Sequence, residues 1–404
     1  MAKKGRMKVR VGDLVIGPEE REAIMGVLDS GKISEGRCTR SFELEWATYI
    51  GTKDAVATNS GTSALISGLT ALHYVPDGIA PGSKIVTTPL TYAATSNAII
   101  LTGHEPVFVD VDADTFGITT ESIREELEHC DDPSEYSTLL PVHLMGYPCD
   151  LNGILRIARE NDMVLFEDSA QAHGSIYDGR RTGSIGRLAA FSFYIAHNIQ
   201  VGELGAVTSS DEALIRRVRQ VKANGRMCDC PRCMREEVGC VKRTSVNDHD
   251  ARFTHEIMGY NFKTMEFQTA LANVQLKIIE SIIKRRQENV RYLNDGLSAL
   301  SGTIKLPTFS NKVSYLGYPV VIEDSRFVRN RVLLQLEDLG VETRPLFGCI
   351  PLQQPSYSAF KHRYEGCLPN AEYLGAHAFY IGCHQYLTED DLDMIIRTFK
   401  EVFA

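Results

Sequence analysis

His197 stands five residues beyond Ser192, where the apolar run "AAFSFYIA" (Ala189–Ala196) gives out. An imidazole with a pKa near 6.5 moves protons at neutral pH. Asp168 lies near the end of a second apolar run, "MVLFEDSA" (Met163–Ala170), and Gln171 follows by three. A carboxylate so placed is costly without a cationic partner, and a protonated pyridine nitrogen is one such partner. The same residue would also cap a following helix. Tyr92 follows "KIVTTPL" (Lys84–Leu90), where an aromatic ring would stack on another flat ring or lie half-buried in the core. Gly61 and Thr62 occupy "ATNSGTSAL" (Ala57–Leu65), where a strand-like run gives way to a helix. Free backbone N–H groups and the helix dipole make that corner a phosphate cradle, or an ordinary Ser/Thr cap. Asn261, in "MGYNFKTMEFQTA" (Met258–Ala270), precedes a long helical pattern.

A second set of side chains suits a metal. "CDCPRCMREEVGC" places Cys228, Cys230, Cys233 and Cys240 within thirteen residues. The spacing C-x-C-x2-C-x6-C is not a paired zinc-ribbon pattern. Four close thiols on a polar stretch suit iron–sulfur and zinc alike. The six other cysteines, at 38, 130, 149, 349, 367 and 383, are scattered and read as core or partly buried thiols.

Positioning these side chains calls for a sheet. The runs at 84–90, 105–112, 137–146, 163–170, 189–196 and 205–210 are β-rich and lack the alternation of half-exposed strands. They predict an α/β fold with a mostly parallel central sheet flanked by helices on both faces. Ligands in such sheets bind beyond the carboxyl ends of the strands. A strand over Phe191–Ile195, a loop and a second strand near Gly205 are expected. Gly17-Pro18-Glu19 opens a helix that Gly31 ends, and Thr39–Gly51 reads as another. Thr264–Leu293 predicts one long amphipathic helix with Leu271, Val274, Ile278 and Ile282 along its apolar stripe. The expected division is a large domain over 1–280, with a cysteine-rich insertion at about 224–256, and a smaller C-terminal α/β domain over 281–404.

The composition excludes several classes. The chain has 404 residues, 43% of them hydrophobic and 24% charged, which suits a globular protein with a large core. A net charge of −9 argues against nucleic acid or an anionic membrane as partner. The basic start "MAKKGRMKVR" is followed by no apolar stretch, and no run nears the roughly 20 apolar residues of a membrane span. The expected location is the cytoplasm, where the ten cysteines serve as thiols, metal ligands or redox groups.

The order of "SGTSAL", "EDSAQAHG", "FSFY", "GELGAV", "GYNFKTMEFQTA" and "TRPLF" (Thr343–Phe347) resembles the DegT/DnrJ/EryC1/StrS family, sugar aminotransferases of pyridoxal-phosphate fold type I. The similarity runs from about Gly12 to the C-terminus. It implies a homodimer with active sites between subunits. It assigns the cofactor phosphate to Gly61, Thr62 and Ser192, with Asn261 reaching the phosphate of the neighbouring subunit's site. It stacks Tyr92 on the pyridine ring, pairs Asp168 with the ring nitrogen and sets Gln171 near the ring hydroxyl. His173 belongs to the motif and carries no assigned chemistry.

Aminotransferases of this family carry, after "FSFY", a lysine that binds the cofactor covalently. Here the position is His197, and no lysine occurs between Met163 and Lys222. Histidine keeps the proton-moving role without the covalent anchor, so the implied cofactor is non-covalent pyridoxamine phosphate. A subgroup with this replacement, the nucleotide-activated 4-keto-6-deoxyhexose 3-dehydratases, has a context much like "FSFYIAHNI". One branch of it holds an iron–sulfur cluster and draws electrons from a reductase or ferredoxin, taking one ligand from a cysteine two residues past the Asp. Here that position is Ala170, so the four ligands would be Cys228, Cys230, Cys233 and Cys240. The alternatives are a non-reductive dehydratase or aminotransferase-like protein with a zinc-stapled loop, and a catalytically silent cofactor-binding protein.

Overall fold

The computed structural model describes residues 8–228, 230 and 250–404. Among them are the strands β1 (Asp54–Thr58), β2 (Lys84–Thr87), β3 (Glu105–Phe108), β4 (Tyr136–Leu140), β5 (Val164–Asp168), β6 (Ile176–Tyr177) and β7 (Arg180–Arg181). They continue with β8 (Leu188–Ser192), β9 (Gly205–Ser209), β10 (Ile304–Lys305), β11 (Tyr318–Ile322), β12 (Thr343–Pro345) and β13 (Ala378–Ile381). Seven form the central sheet in the order β1-β9-β8-β5-β4-β2-β3. Only β9 runs against its neighbours, β1 and β8; every other pairing is parallel. The expected mostly parallel sheet is thus present, and six of its strands end at one edge.

Helices cover both faces of this sheet, which is why its strands lack alternation. On one face Val56, Phe166, Leu188 and Val207 pack with Leu65 and Leu69 of the helix Gly61–Leu72, and with Leu214 and Val218 of Glu212–Val221. On the other, Ala189, Phe191 and Phe193 pack with Phe42 and Trp46 of the helix Arg37–Ile50. Burial of each large apolar side chain contributes about 1.5–3 kcal/mol. A second, antiparallel sheet, β10-β11-β13-β12, lies in the last third of the chain. No helix among the described residues is long and apolar enough to cross a membrane.

Two expected elements differ. The strand expected over Phe191–Ile195 is β8, which ends at Ser192; Phe193 still donates to Leu204 at 2.8 Å, and the chain then turns. The single helix expected over Thr264–Leu293 is two, Glu266–Leu276 and Ile279–Leu297. Ile278 breaks them at φ −113°, ψ 11°, and lies exposed rather than on the apolar stripe. The first helix is anchored near its end by buried Gln275, whose amide bonds both Gln200 N–H at 2.9 Å and Gln200 carbonyl at 2.6 Å. The earlier helices agree with expectation, spanning Pro18–Ser30 and Arg37–Ile50, each followed by a left-handed glycine.

The first described segment is a strap. Val9 bridges Val341, and the Val11 N–H donates to Glu342 Oε2 at 3.0 Å. A Cβ on Gly12 would stand 2.7 Å from both Ala196 Cα and the Ile195 carbonyl, so only glycine lets the strap lie against the turn after β8.

Candidate active site

The corner after β1 meets the end of β8. Ser60 caps the helix Gly61–Leu72 by accepting the Ser63 N–H at 3.1 Å. The Gly61 and Thr62 N–H groups have no acceptor among the described residues. A Cβ on Gly61 would lie 2.4 Å from Ser192 Cβ and 2.9 Å from its Oγ. Glycine therefore brings two free amides and a hydroxyl to one place at the positive end of a helix, the arrangement that binds phosphate.

Two neighbouring carboxylates on β5 have opposite fates. Glu167 accepts N–H groups from Gly183 at 2.7 Å, Ile185 at 2.8 Å and Gly186 at 2.6 Å, and His143 Nε2–H at 3.1 Å. Burial alone would raise its pKa, but these donors, His143 foremost, hold it below the ordinary carboxylate range. Asp168 is 3% exposed and, among the described residues, its carboxylate accepts only Thr95 Oγ1–H at 2.8 Å and the Ala170 N–H at 3.1 Å. Burial pushes its pKa up against those two bonds and His143. A carboxylate with lone pairs to spare at a strand's carboxyl end is suited to a cation supplied from outside. Thr95, which positions it, was not singled out from the sequence.

Gln171 lies in the turn after Asp168, its Oε1 taking the Met145 N–H at 2.9 Å. Tyr92 follows β2, is 65% exposed, and sets its ring 6.1 Å from Phe347 of the "TRPLF" segment. Its exposed ring is free to stack on a flat group.

His197 lies in the turn after β8 and is 9% exposed. Its Nδ1 accepts the Tyr194 N–H at 3.1 Å, and its own N–H donates to the Tyr194 carbonyl at 2.9 Å. Burial, then the Arg286 guanidinium, hold its pKa at about 3 against the Ser192 carbonyl, so the ring is neutral at pH 7. His173 supports the turn: Nε2–H donates to the Ser192 carbonyl at 2.9 Å, Nδ1 accepts the Ile199 N–H at 3.4 Å, and its ring packs on Trp46 and Phe193.

Asn261 is exposed and accepts from Lys263. Its neighbour Phe262 accepts the Asn59 N–H at 2.9 Å, which brings this segment alongside the corner after β1. Lys222 is committed elsewhere, its Nζ on the Ala57 carbonyl at 2.8 Å and Glu35 Oε1 at 2.9 Å. Cys228 and Cys230 are half-buried; Cys233 and Cys240 lie outside the described residues. Among the described residues no three metal-ligating side chains come together. Of the scattered cysteines, Cys149, Cys349 and Cys383 are buried, Cys38 and Cys130 half-buried, and Cys367 is exposed, against expectation.

A phosphate corner, an undersatisfied buried carboxylate and an exposed aromatic ring fit pyridoxal or pyridoxamine phosphate. The chain is similar to known proteins. A dTDP-4-dehydro-2,6-dideoxy-D-glucose 3-dehydratase of Saccharopolyspora spinosa is 30% identical, over 99% of this chain and 87% of that protein. The aminotransferase of Psychrobacter cryohalolentis superposes with a TM-score of 0.83 at 30% identity, over 96% of this chain and 97% of the other. A GDP-4-keto-6-deoxymannose-3-dehydratase with bound GDP-perosamine superposes with a TM-score of 0.85 at 25% identity, over 98% and 100%. Residues 15–400 match the DegT/DnrJ/EryC1/StrS aminotransferase family, and the chain belongs to it.

Proposed function

We propose that this chain is a pyridoxamine-phosphate-dependent dehydratase that removes the C3 hydroxyl of a nucleotide-linked 4-keto-6-deoxyhexose in deoxysugar biosynthesis. One observation supports the reading: the corner of Gly61 and Ser192 stands at the end of the strand that leads into the His197 turn, and Lys222 is tied to Glu35 and Ala57. When bound, pyridoxamine phosphate supplies an amine to join the sugar ketone and a ring to take up electrons as the hydroxyl leaves.

The protein's part is binding, orientation and proton movement. Gly61, Thr62 and Ser192 hold the phosphate. Tyr92 covers the ring face. Asp168 meets the ring nitrogen and keeps it protonated, and Gln171 lies near the ring hydroxyl. His197 moves the proton. Its neutral ring carries hydrogen on Nε2 and lends Nδ1 to the Tyr194 N–H, so either nitrogen takes a proton only after that contact opens. We read the enzyme as a homodimer in which Asn261 reaches the neighbouring subunit's site. We read the reaction as reductive, with an iron–sulfur cluster on Cys228, Cys230, Cys233 and Cys240 fed by a reductase or ferredoxin.

The test is product mass. Chain loaded with pyridoxamine phosphate should remove water from a GDP- or dTDP-linked 4-keto-6-deoxyhexose. Formation of an amino sugar on adding glutamate, with no dehydration, sinks the reading.

A further inference from the structure

We propose that Arg286 is a positioning residue for His197: from inside the core it holds the His197 carbonyl and ties the turn Tyr194–His197 to Tyr315, Leu316 and Gln385. The part given to His197 rests on the function proposed above; the tie does not.

The guanidinium is fully buried. Nη2 donates to the His197 carbonyl at 3.1 Å. Nη1 donates to the carbonyls of Tyr315 at 3.1 Å and Leu316 at 2.8 Å. Nε donates to Gln385 Oε1 at 3.2 Å. Among the described residues no carboxylate meets it. Cys383 is no counter-ion, because burial pushes that thiol up to about 11. A buried cation held only by neutral dipoles is expensive, so its retention calls for a purpose.

The geometry supplies one. The four acceptors come from the turn after β8, the segment before β11 and the segment after β13. The planar fork of arginine reaches all of them at once; the point charge of lysine does not. The charged and titratable groups around His197 among the described residues are Arg286, Arg344 of β12, His173 and Tyr194. Those around Arg286 among the described residues are His173, His197, Cys383, His384 and Tyr386. Burial keeps the imidazole neutral, as a proton acceptor must be, and a non-titrating positive charge at the root of the turn adds to it.

Two full-length variants test this, Arg286→Lys and Gln385→Glu. The second keeps an oxygen on Nε and adds a carboxylate beside the guanidinium. The readout is the ring nitrogen shifts of His197 against pH in cofactor-free protein, assigned with His197→Asn. Gln385→Glu should move the His197 titration upward, toward the ordinary range. Arg286→Lys should shift Nδ1 away from its acceptor position, and kcat in the loaded enzyme should fall about 100-fold with little change in KM. Folded variants with an unchanged His197 titration and tautomer overturn the proposal. Shifts as expected in a chain that never dehydrates a sugar uphold the tie and sink only the assigned reaction.

Discussion

The imidazole Nδ1 of His197 accepts the backbone N–H of Tyr194 at 3.1 Å, and this contact decides where the ring proton sits. It also makes a prediction about titration. With its pKa at about 3, His197 should show no titration between pH 5 and 8 in the cofactor-free protein. Its unfolded value is near 6.5, so its contribution to stability is complete above that pH and is lost as pH falls toward 3. Urea unfolding should show wild type losing about 2 kcal/mol more than His197→Asn between pH 7 and 5. Equal losses would mean that the ring charges freely.

Replacement of His197 separates binding from chemistry. His197→Asn should retain pyridoxal phosphate and slow dehydration about 100- to 10,000-fold, the usual worth of a positioned base. His197→Lys should regain a covalent, borohydride-reducible link to pyridoxal phosphate, seen as a shifted absorption band. A wild-type rate in the asparagine variant removes His197 from the reaction.

Asp168 carries the opposite pH signature. Burial raises its folded pKa, so its stability contribution is full below the unfolded value near 3.9 and is lost as pH rises through the raised value. Cofactor-free Asp168→Asn should therefore be more stable than wild type at pH 7 by thermal melting. The same variant should bind pyridoxal phosphate on the order of 100- to 1,000-fold more weakly, as loss of one partner of a buried charge pair implies. Unchanged affinity would place the ring nitrogen elsewhere.

Gly61→Ala should cost about 1–3 kcal/mol, because the new methyl would meet Ser192 Cβ at 2.4 Å. Ser192→Gly in the same chain should return part of it, with a coupling of about 0.5–3 kcal/mol by double-mutant cycle. Additive losses would show that the corner is looser than described.

Protein purified without oxygen should contain iron and acid-labile sulfide, lost on Cys230→Ser or Cys233→Ser. Stoichiometric zinc, or no metal, would reduce the cysteine-rich stretch to a structural element and leave a non-reductive reaction.

Residues at strand ends were legible because a strand buried on both faces announces itself as an unbroken apolar run. Asp168, Ser192 and the corner at Gly61 all follow such runs. Their partners were not legible. Thr95 binds Asp168 across 73 residues, and nothing in "LTYAATSNAI" marks it. Arg286 sits beside Arg285 in "IIKRRQENV", yet one is fully buried and the other half-buried. Their roles depend on what other segments bring. The break at Ile278 was missed because the apolar spacing continues across it, while a tertiary bond from Gln275 decides the geometry. The reversed direction of β9 goes with a connection from β8 that carries the His197 turn and holds no crossover helix.

The strap that begins at Val9 bears on how the protein folds. Val11 and Glu342 are 331 residues apart in sequence, and between their segments and the sheet lies the turn that carries His197. Contacts of such long range form late, after shorter loops have closed. All seven strands of the sheet and its phosphate corner lie within residues 54–209, whereas the histidine turn is backed also by Arg286 and by the strap at Gly12. The group that works on the cofactor thus draws its support from more distant parts of the chain than the corner that holds the phosphate.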